Sequence, residues 1–247
     1  MTVRSGLRDY LRHQAGWVWR KQARAFSYGL SLQEETLTEM LLLRMTKDHA
    51  SHGLAVTIFN KHEEGLNGAD WEWILRTPSC EICLRVQAKR LYHSATGKEY
   101  GGLDPASTQV DKLITQAGSS IPVYVFYNHP FGKNSDLFHE GGEAPYRGQS
   151  FWGCAIAGAH AVKIANSNSL RVLHQIIKPW HHLVTDRGTC GIAASLGIPA
   201  NELTETMAAS RREVVERIRD TNFMQQYLRE RDLAGAAVVD FRHYRSD

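Results

Sequence analysis

Between Val3 and Ala25 the apolar side chains of Val3, Leu7, Tyr10, Leu11, Trp17 and Val18 recur at helical spacing, while Arg4, Arg8, Arg12, Arg20, Lys21 and Arg24 carry charge opposed only by Asp9. The pattern predicts a basic amphipathic helix. Two uses fit it: docking an apolar stripe on a core, or serving as an arm that contacts phosphates. A second helix is predicted from Ser31 to Arg44, with Ser31 as N-cap and Glu34 three residues later at capping-box spacing. Glu34, Glu35 and Glu39 suit the positive end of its dipole. Glu35 and Glu39 are four apart and share a face, where a metal ion or a lysine between them would remove their repulsion.

The period then changes from helical to alternating. Ala55 to Asn60, Asp70 to Leu75 and Ile82 to Leu91 read as three strands in quick succession, the second following the turn residues Asn67-Gly68. A helix is expected from about Pro105 to Ala117, then a buried strand over Ile121 to Tyr127. Phe131 to Gln149, rich in Gly, Asn, Glu and His, reads as a long surface loop. Beyond it come an apolar stretch at Trp152 to Ala165, a helix near Leu170 to Leu183, and a helix or helix pair from about Asn201 to Arg231. The order helix, three-strand meander, helix, strand predicts an α/β fold without internal repeat. The expected division is a basic N-terminal helix (1–30), a core (31–165) and a mainly helical C-terminal extension packed on that core (166–247).

Composition narrows the class more than the function. A chain of 247 residues, 43% of them hydrophobic and with charges of both signs, is not wholesale disorder and has the length of one sizeable domain. No segment approaches the ~20 apolar residues of a membrane span, so a soluble protein without a membrane partner is expected. Its 4 cysteines are too few for a disulfide scaffold and no secretory signal precedes them, which makes the cytoplasm the expected compartment. The Arg-rich start also imitates an organelle transit peptide, the lesser expectation. A net charge of +3 is too small to identify a polyanion partner, so a local patch would have to do so.

Several tempting motifs read as ordinary structure. Cys80 and Cys83 form a C-x-x-C, but no second ligand pair follows at zinc-site spacing. Adjacent helical residues point about 100° apart, so His181-His182 is expected to be core or surface rather than a ligand pair. His93, His129 and His139 are softer candidates for the substrate side. Ile192 to Pro199 resembles the turn of a helix-turn-helix, a pattern also common in plain helix hairpins.

The residues with the most chemical content lie on the second and third strands. Alternation puts Asp70 and Glu72 on one face with Trp71 and Trp73 on the other, and puts Gln87 with Lys89 opposite Val86 and Ala88. If these strands pair, at about 5 Å, Asp70, Gln87 and Lys89 converge. A hard divalent cation such as Mg²⁺ or Mn²⁺ takes carboxylate and carbonyl oxygens and keeps waters for exchange. Asp70 and Gln87 offer such oxygens, and an acid on the preceding helix supplies another. Lys89 would orient or help deprotonate an attacking water and offset charge building on phosphorus. Bland alternatives are a turn-terminating Asp70, a Gln87 that satisfies backbone groups, and a cross-strand Lys89–Glu72 salt bridge.

At Gly68-Ala69-Asp70 and Gln87-Ala88-Lys89-Arg90-Leu91-Tyr92 the sequence resembles the PD-(D/E)XK nuclease superfamily, in its Mrr-like Gln-x-Lys variant. The resemblance spans roughly residues 30–130. It implies a restriction-endonuclease-like core, a mixed sheet flanked by helices, with Asp70, Gln87, Lys89 and Glu35 catalytic. The metal set would be Asp70, Gln87 and Glu35, with Glu39 as the alternative helix acid and Glu72 as a further carboxylate. Two departures are visible: no Pro precedes Asp70, and Gln replaces the second carboxylate. The activity implied is metal-dependent phosphodiester hydrolysis, of DNA sooner than RNA, in bacterial defence or DNA processing. Arg85, Arg90, Arg20, Lys21 and Arg24 are the expected phosphate contacts. Cutting two strands favours a homodimer. The rival reading is an inactive nuclease-fold module that binds nucleic acid or a protein partner.

Overall fold

The computed structural model describes residues 7–52, 55–60, 70–76, 81–94, 97–105, 108–129, 137–138, 148–184, 196 and 209–243. Helix α1 (Leu7–Ser27) buries Tyr10, Leu11, Gln14, Ala15, Val18, Trp19 and Gln22, at alternating spacings of one and three that keep one stripe inward. Of the two uses foreseen for it, docking is realised. The Trp180 indole donates to the Leu11 carbonyl at 2.7 Å and the Gln22 amide donates to the Asn128 carbonyl at 3.0 Å. The helix backbone also lies directly on Gly153, where a Cβ would sit 2.0 Å from the Ala15 oxygen, so only glycine allows this approach.

Helix α2 (Glu34–His52) buries Leu37, Leu41, Leu42 and Met45 in the same core, each such side chain contributing roughly 1.5–3 kcal/mol. The helix starts at Glu34, so the expected capping box does not form. Ser31 lies ahead of it, and its hydroxyl accepts a hydrogen bond from Arg90 instead.

The sheet is built from β1 (Ala55–Asn60), β2 (Asp70–Arg76), β3 (Glu81–Ser94), β4 (Gly97–Tyr100), β5 (Ile121–Tyr127), β6 (Cys154–Gly158), β7 (Lys178–Pro179) and β8 (Leu233–Asp240). The spatial order is β1-β8-β2-β3-β5-β6-β7, with β4 hairpinned onto β3. The β2–β8 and β3–β5 pairs are parallel and the others antiparallel. Helix α3 (Thr108–Thr115) joins β4 to β5. Helices α4 (Ala159–Ala165) and α5 (Leu170–Leu173) follow β6, and α6 (Ala209–Arg217) and α7 (Thr221–Glu230) precede β8. This is an α/β architecture with helices on both faces of a mixed sheet.

Three expectations need correction. The first three strands do not form a meander: β2 and β3 pair, but β8 separates β1 from β2. The C-terminal region is mainly helical among its described residues, but it is more than an extension packed on the core, because it supplies this central strand. Leu233-Ala-Gly-Ala-Ala-Val-Val-Asp fits there because small residues meet large neighbours: Gly235 lies against Trp71 and Ala237 against Trp73. The expected helix near Leu170 to Leu183 is also shorter, giving way to β7 and a 3-10 turn at Trp180–Leu183. Among the described residues no helix is long and apolar enough to cross a membrane.

The two sheet faces differ. α1 and α2 cover the face of Trp71, Trp73, Leu84, Val86, Val123, Val125 and Tyr127 in one continuous apolar core. The opposite face carries two separate apolar clusters, one around α3, α4 and α5 and one around α6 and α7. Cys83, Arg85, Gln87 and Lys89 run along β3 on this second face, by strand alternation.

Candidate functional site

Gln87 and Lys89 are two buried polar side chains, 4% and 6% exposed, on one face of β3. Against β5 they stand level with Tyr124 and Phe126. The Lys89 ammonium donates to the Gly102 carbonyl at 2.8 Å and to the Gln109 side-chain oxygen at 3.3 Å. Gly102 has φ +64°, a left-handed turn that glycine adopts without strain, and it brings that carbonyl over the lysine. The β2–β3 pairing runs from Trp71 against Val86 to Arg76 against Glu81, so Asp70 begins β2 one residue beyond the paired stretch. The register of β2 against β8 also shifts between Asp70 and Trp71, an irregularity of the kind that re-aims side chains. The Asp70 side chain lies outside the described residues. The structure thus sets Gln87 and Lys89 on one face of β3, and their expected convergence with Asp70 lies outside the described residues.

The helix acids are placed differently. α2 packs on the Trp71 and Val86 face, whereas Gln87 and Lys89 occupy the other, and Glu35 and Glu39 are exposed. The sheet therefore lies between both acids and Lys89. The acid of this helix that reaches β3 is Glu34, 3.6 Å from the Arg90 guanidinium. Strand alternation gave the face of Gln87 correctly but contained no signal for which helix covers it.

Glu72 is not available as a metal ligand. It is fully buried, and its carboxylate accepts from Ser120 at 2.6 Å, from Arg231 at 3.0 Å and from the Tyr227 hydroxyl. The arginine supplies the countercharge a cation would otherwise provide. Burial, and then the neighbouring Glu72 charge, push the Tyr227 hydroxyl above its ordinary range, so it stays a donor. The alternative Lys89–Glu72 bridge is not what Glu72 makes, since Arg231 takes that position.

Arg85 is likewise not a phosphate contact, because it is fully buried. It donates to the carbonyls of Gln116, Arg231 and Asp232 at 3.0, 2.9 and 3.4 Å, and to the Gln116 side-chain oxygen at 3.0 Å. Those carbonyls lie at the C-terminal ends of α3 and α7, where the helix dipoles favour a cation. The polar groups between the two apolar clusters thus form a closed knot at the Arg85 end of β3. Sequence reading missed Ser120, Tyr227 and Arg231 as its members, since they lie far from Glu72 along the chain.

The other expected phosphate contacts remain on the surface. Arg20, Lys21 and Arg24 are exposed on α1, with the Lys21 ammonium 5.7 Å from the Trp17 ring centre. Arg90 is half-buried and lies 5.2 Å over the Tyr92 ring. Beside it a cleft of about 250 Å³ opens between the end of α1, the segment before α2 and the end of β3, with His129 in its wall. His181 is fully buried against Phe151 and His182, as a core residue. His139, Cys80, Cys190 and all of Ile192 to Pro199 except Leu196 lie outside the described residues, as does the His93 side chain. Cys83 and Cys154 are buried thiols, and burial raises that of Cys154. Among the described residues no group of three or more His, Cys, Asp or Glu side chains is placed to hold a metal ion.

A family model described as "Family of unknown function (DUF6615)" matches residues 7–245. No curated protein and no solved structure matches the chain.

Proposed function

Because this chain belongs to the DUF6615 family, whose description assigns no activity, we propose its function from the site: a divalent-metal-dependent nuclease acting on phosphodiester bonds, of DNA sooner than RNA. The observation that carries this is the pair Gln87 and Lys89. Both are more than nine-tenths buried on one face of β3, the strand that pairs with the one Asp70 begins. Burying a lysine is costly, and the Gly102 carbonyl and the Gln109 side-chain oxygen hold this one in a fixed place on the strand. The order α2, β1, β2, β3, α3, β5, with β2–β3 antiparallel and β3–β5 parallel, supports a restriction-endonuclease-like core, with β8 as an insertion.

The donor set suits a hard cation: the buried Gln87 would bring a side-chain oxygen and Asp70 the carboxylate. Mg²⁺ or Mn²⁺ held there would supply Lewis acidity and a water acidic enough to attack near neutral pH. The residues of the chain do the rest. Lys89, held by Gly102 and Gln109, orients the attacking water and offsets charge building on the phosphoryl oxygens. Gln87 fixes the position of the phosphate relative to Lys89. Glu35 and Glu39 are left out of this set, because the sheet stands between them and Lys89.

A second reading, a nuclease-fold module that binds without turnover, draws on that same separation and on the glutamine in place of a second carboxylate. Cleavage of labelled linear and supercoiled DNA and of RNA, by wild type and Lys89→Met in Mg²⁺, Mn²⁺ and EDTA, tests both. The nuclease reading expects metal-dependent cutting that the variant loses while its unfolding midpoint is kept. Binding without cutting under every condition would sink it in favour of the second.

A further inference from the structure

The cleft beside Arg90 has a composition that the hydrolytic site does not explain. Seven large apolar side chains are exposed among the described residues, and four of them, Phe26, Tyr28, Leu30 and Tyr92, belong to the cleft or to the short segment bordering it. Apolar surface concentrated in this way marks a binding site sooner than chance. The Phe26 and His129 rings lie 5.8 Å apart and 30° from parallel. Across the cleft the Arg90 guanidinium is spread over the Tyr92 ring and fixed by Glu34 and the Ser31 hydroxyl. Leu30 and Leu32 complete the lining. The walls therefore offer flat π-faces and a planar cation. At about 250 Å³ the space is smaller than the ~300–1,000 Å³ of pockets for drug-sized ligands, and suits a single flat ring system.

We propose that this cleft binds one unstacked nucleobase, so that the chain engages nucleic acid as a single strand or frayed end. The inference rests on the nucleic-acid reading above and names the form of substrate. Arg90 and Tyr92 follow Lys89 by one and three residues on β3 but alternate to the α1–α2 face, so a strand leaving the cleft would pass the end of β3 to reach Lys89. Stacking on aromatic rings and arginine tolerates any base, because every base has a π-face. A paired base has both faces covered by its neighbours and cannot enter. A duplex would also need a cationic track to follow, yet Arg20, Lys21 and Arg24 stand on the side of α1 turned away from Gln22 and Phe26, at 100° per residue.

The test is fluorescence anisotropy in EDTA, where nothing is cut. Short labelled single-stranded DNA, its RNA equivalent and the corresponding duplex are titrated against wild type, Tyr92→Ala, Phe26→Ala and the remote surface control Lys112→Ala. The expected result is a single strand bound at least ~10-fold more tightly than the duplex, with Tyr92→Ala and Phe26→Ala each losing about 5–100-fold and Lys112→Ala nothing. Both aromatic residues are about half exposed, 46% for Phe26 and 48% for Tyr92, so their removal leaves the core intact. Equal binding of single strand and duplex, or affinity indifferent to both substitutions, overturns the proposal. The DNA and RNA arms identify the sugar. Tyr92-dependent binding without cleavage in Mg²⁺ would keep the cleft and sink the nuclease, whereas cleavage with Tyr92-independent binding would sink the cleft alone.

Discussion

Along one face of β3 the side chains of Cys83, Arg85, Gln87 and Lys89 follow one another, yet the two ends of this row are tied down in different ways. At the Arg85 end the groups interlock. Arg85 spans the C-terminal carbonyls of α3 and α7, Arg231 pairs with Glu72, and Ser120 donates to Glu72 and lies 3.2 Å from the Cys83 sulfur. Opposite charges and helix ends there satisfy one another, so the knot joins α3, α7 and β8 to the sheet and has a structural purpose. At the Lys89 end the ammonium donates to the main-chain carbonyl of Gly102 and the side-chain oxygen of Gln109, at the turn after β4 and the start of α3. Burial alone therefore does not distinguish function from architecture.

Two substitutions sharpen that contrast. Lys89→Met keeps the aliphatic stem and removes the charge. Cleavage is expected to fall ~100–1,000-fold, the usual cost of losing one donor aimed at developing charge, while stability in urea changes by less than about 1.5 kcal/mol. A large loss of stability with cleavage intact would make Lys89 one more structural polar group. Glu72→Ala should behave in the opposite way. Removing one partner of a buried pair leaves Arg231 and Tyr227 unanswered, at a cost of about 3 kcal/mol read from the same urea titration. Glu72→Gln, which keeps the shape, is expected to lose less, about 1–2 kcal/mol. Retained metal-dependent cutting in Glu72→Gln at a temperature where it is folded would confirm that this carboxylate is outside the metal set, and selective loss of cutting would return it there.

The same contrast explains what the sequence made legible. Strands β1, β2, β3 and β5 were visible because β-branched and aromatic runs announce them, and alternation then assigned Gln87 and Lys89 to one face. Strand β8 was invisible: Ala234-Gly235-Ala236-Ala237 has little strand propensity of its own and is selected by the space that Trp71 and Trp73 leave beside it. The fate of Glu72 was equally hidden, because Arg231 and Tyr227 are distant in the chain and come near only when β8 enters the sheet between β1 and β2. Periodicity likewise says that Glu35 and Glu39 share a helix face but nothing about the side of the sheet on which that helix packs. Local pattern therefore reached the Lys89 end of the row, while the Arg85 end depends on contacts between remote segments.

The smallest predicted effect probes the knot through its hydroxyl. Tyr227→Phe deletes the donor to Glu72 and keeps the ring, which stacks on Phe223, so the loss at neutral pH is about 1.5 kcal/mol, that of a hydrogen bond to a charged acceptor. The pH dependence carries the sharper signature. Burial and Glu72 raise the Tyr227 hydroxyl in the folded chain, whereas in the unfolded chain it ionises near its ordinary value of about 10. Above that value the unfolded state sheds a proton that the folded state retains, so the Tyr227 contribution is complete below about pH 10 and declines as pH rises further. Tyr100 and Tyr127 are raised by burial in the same direction and keep part of the slope in the variant. Urea midpoints followed from neutral to strongly alkaline pH should therefore converge for wild type and Tyr227→Phe. Curves that stay parallel throughout would mean that Tyr227 ionises freely in the folded chain and that the knot is open to solvent at α7.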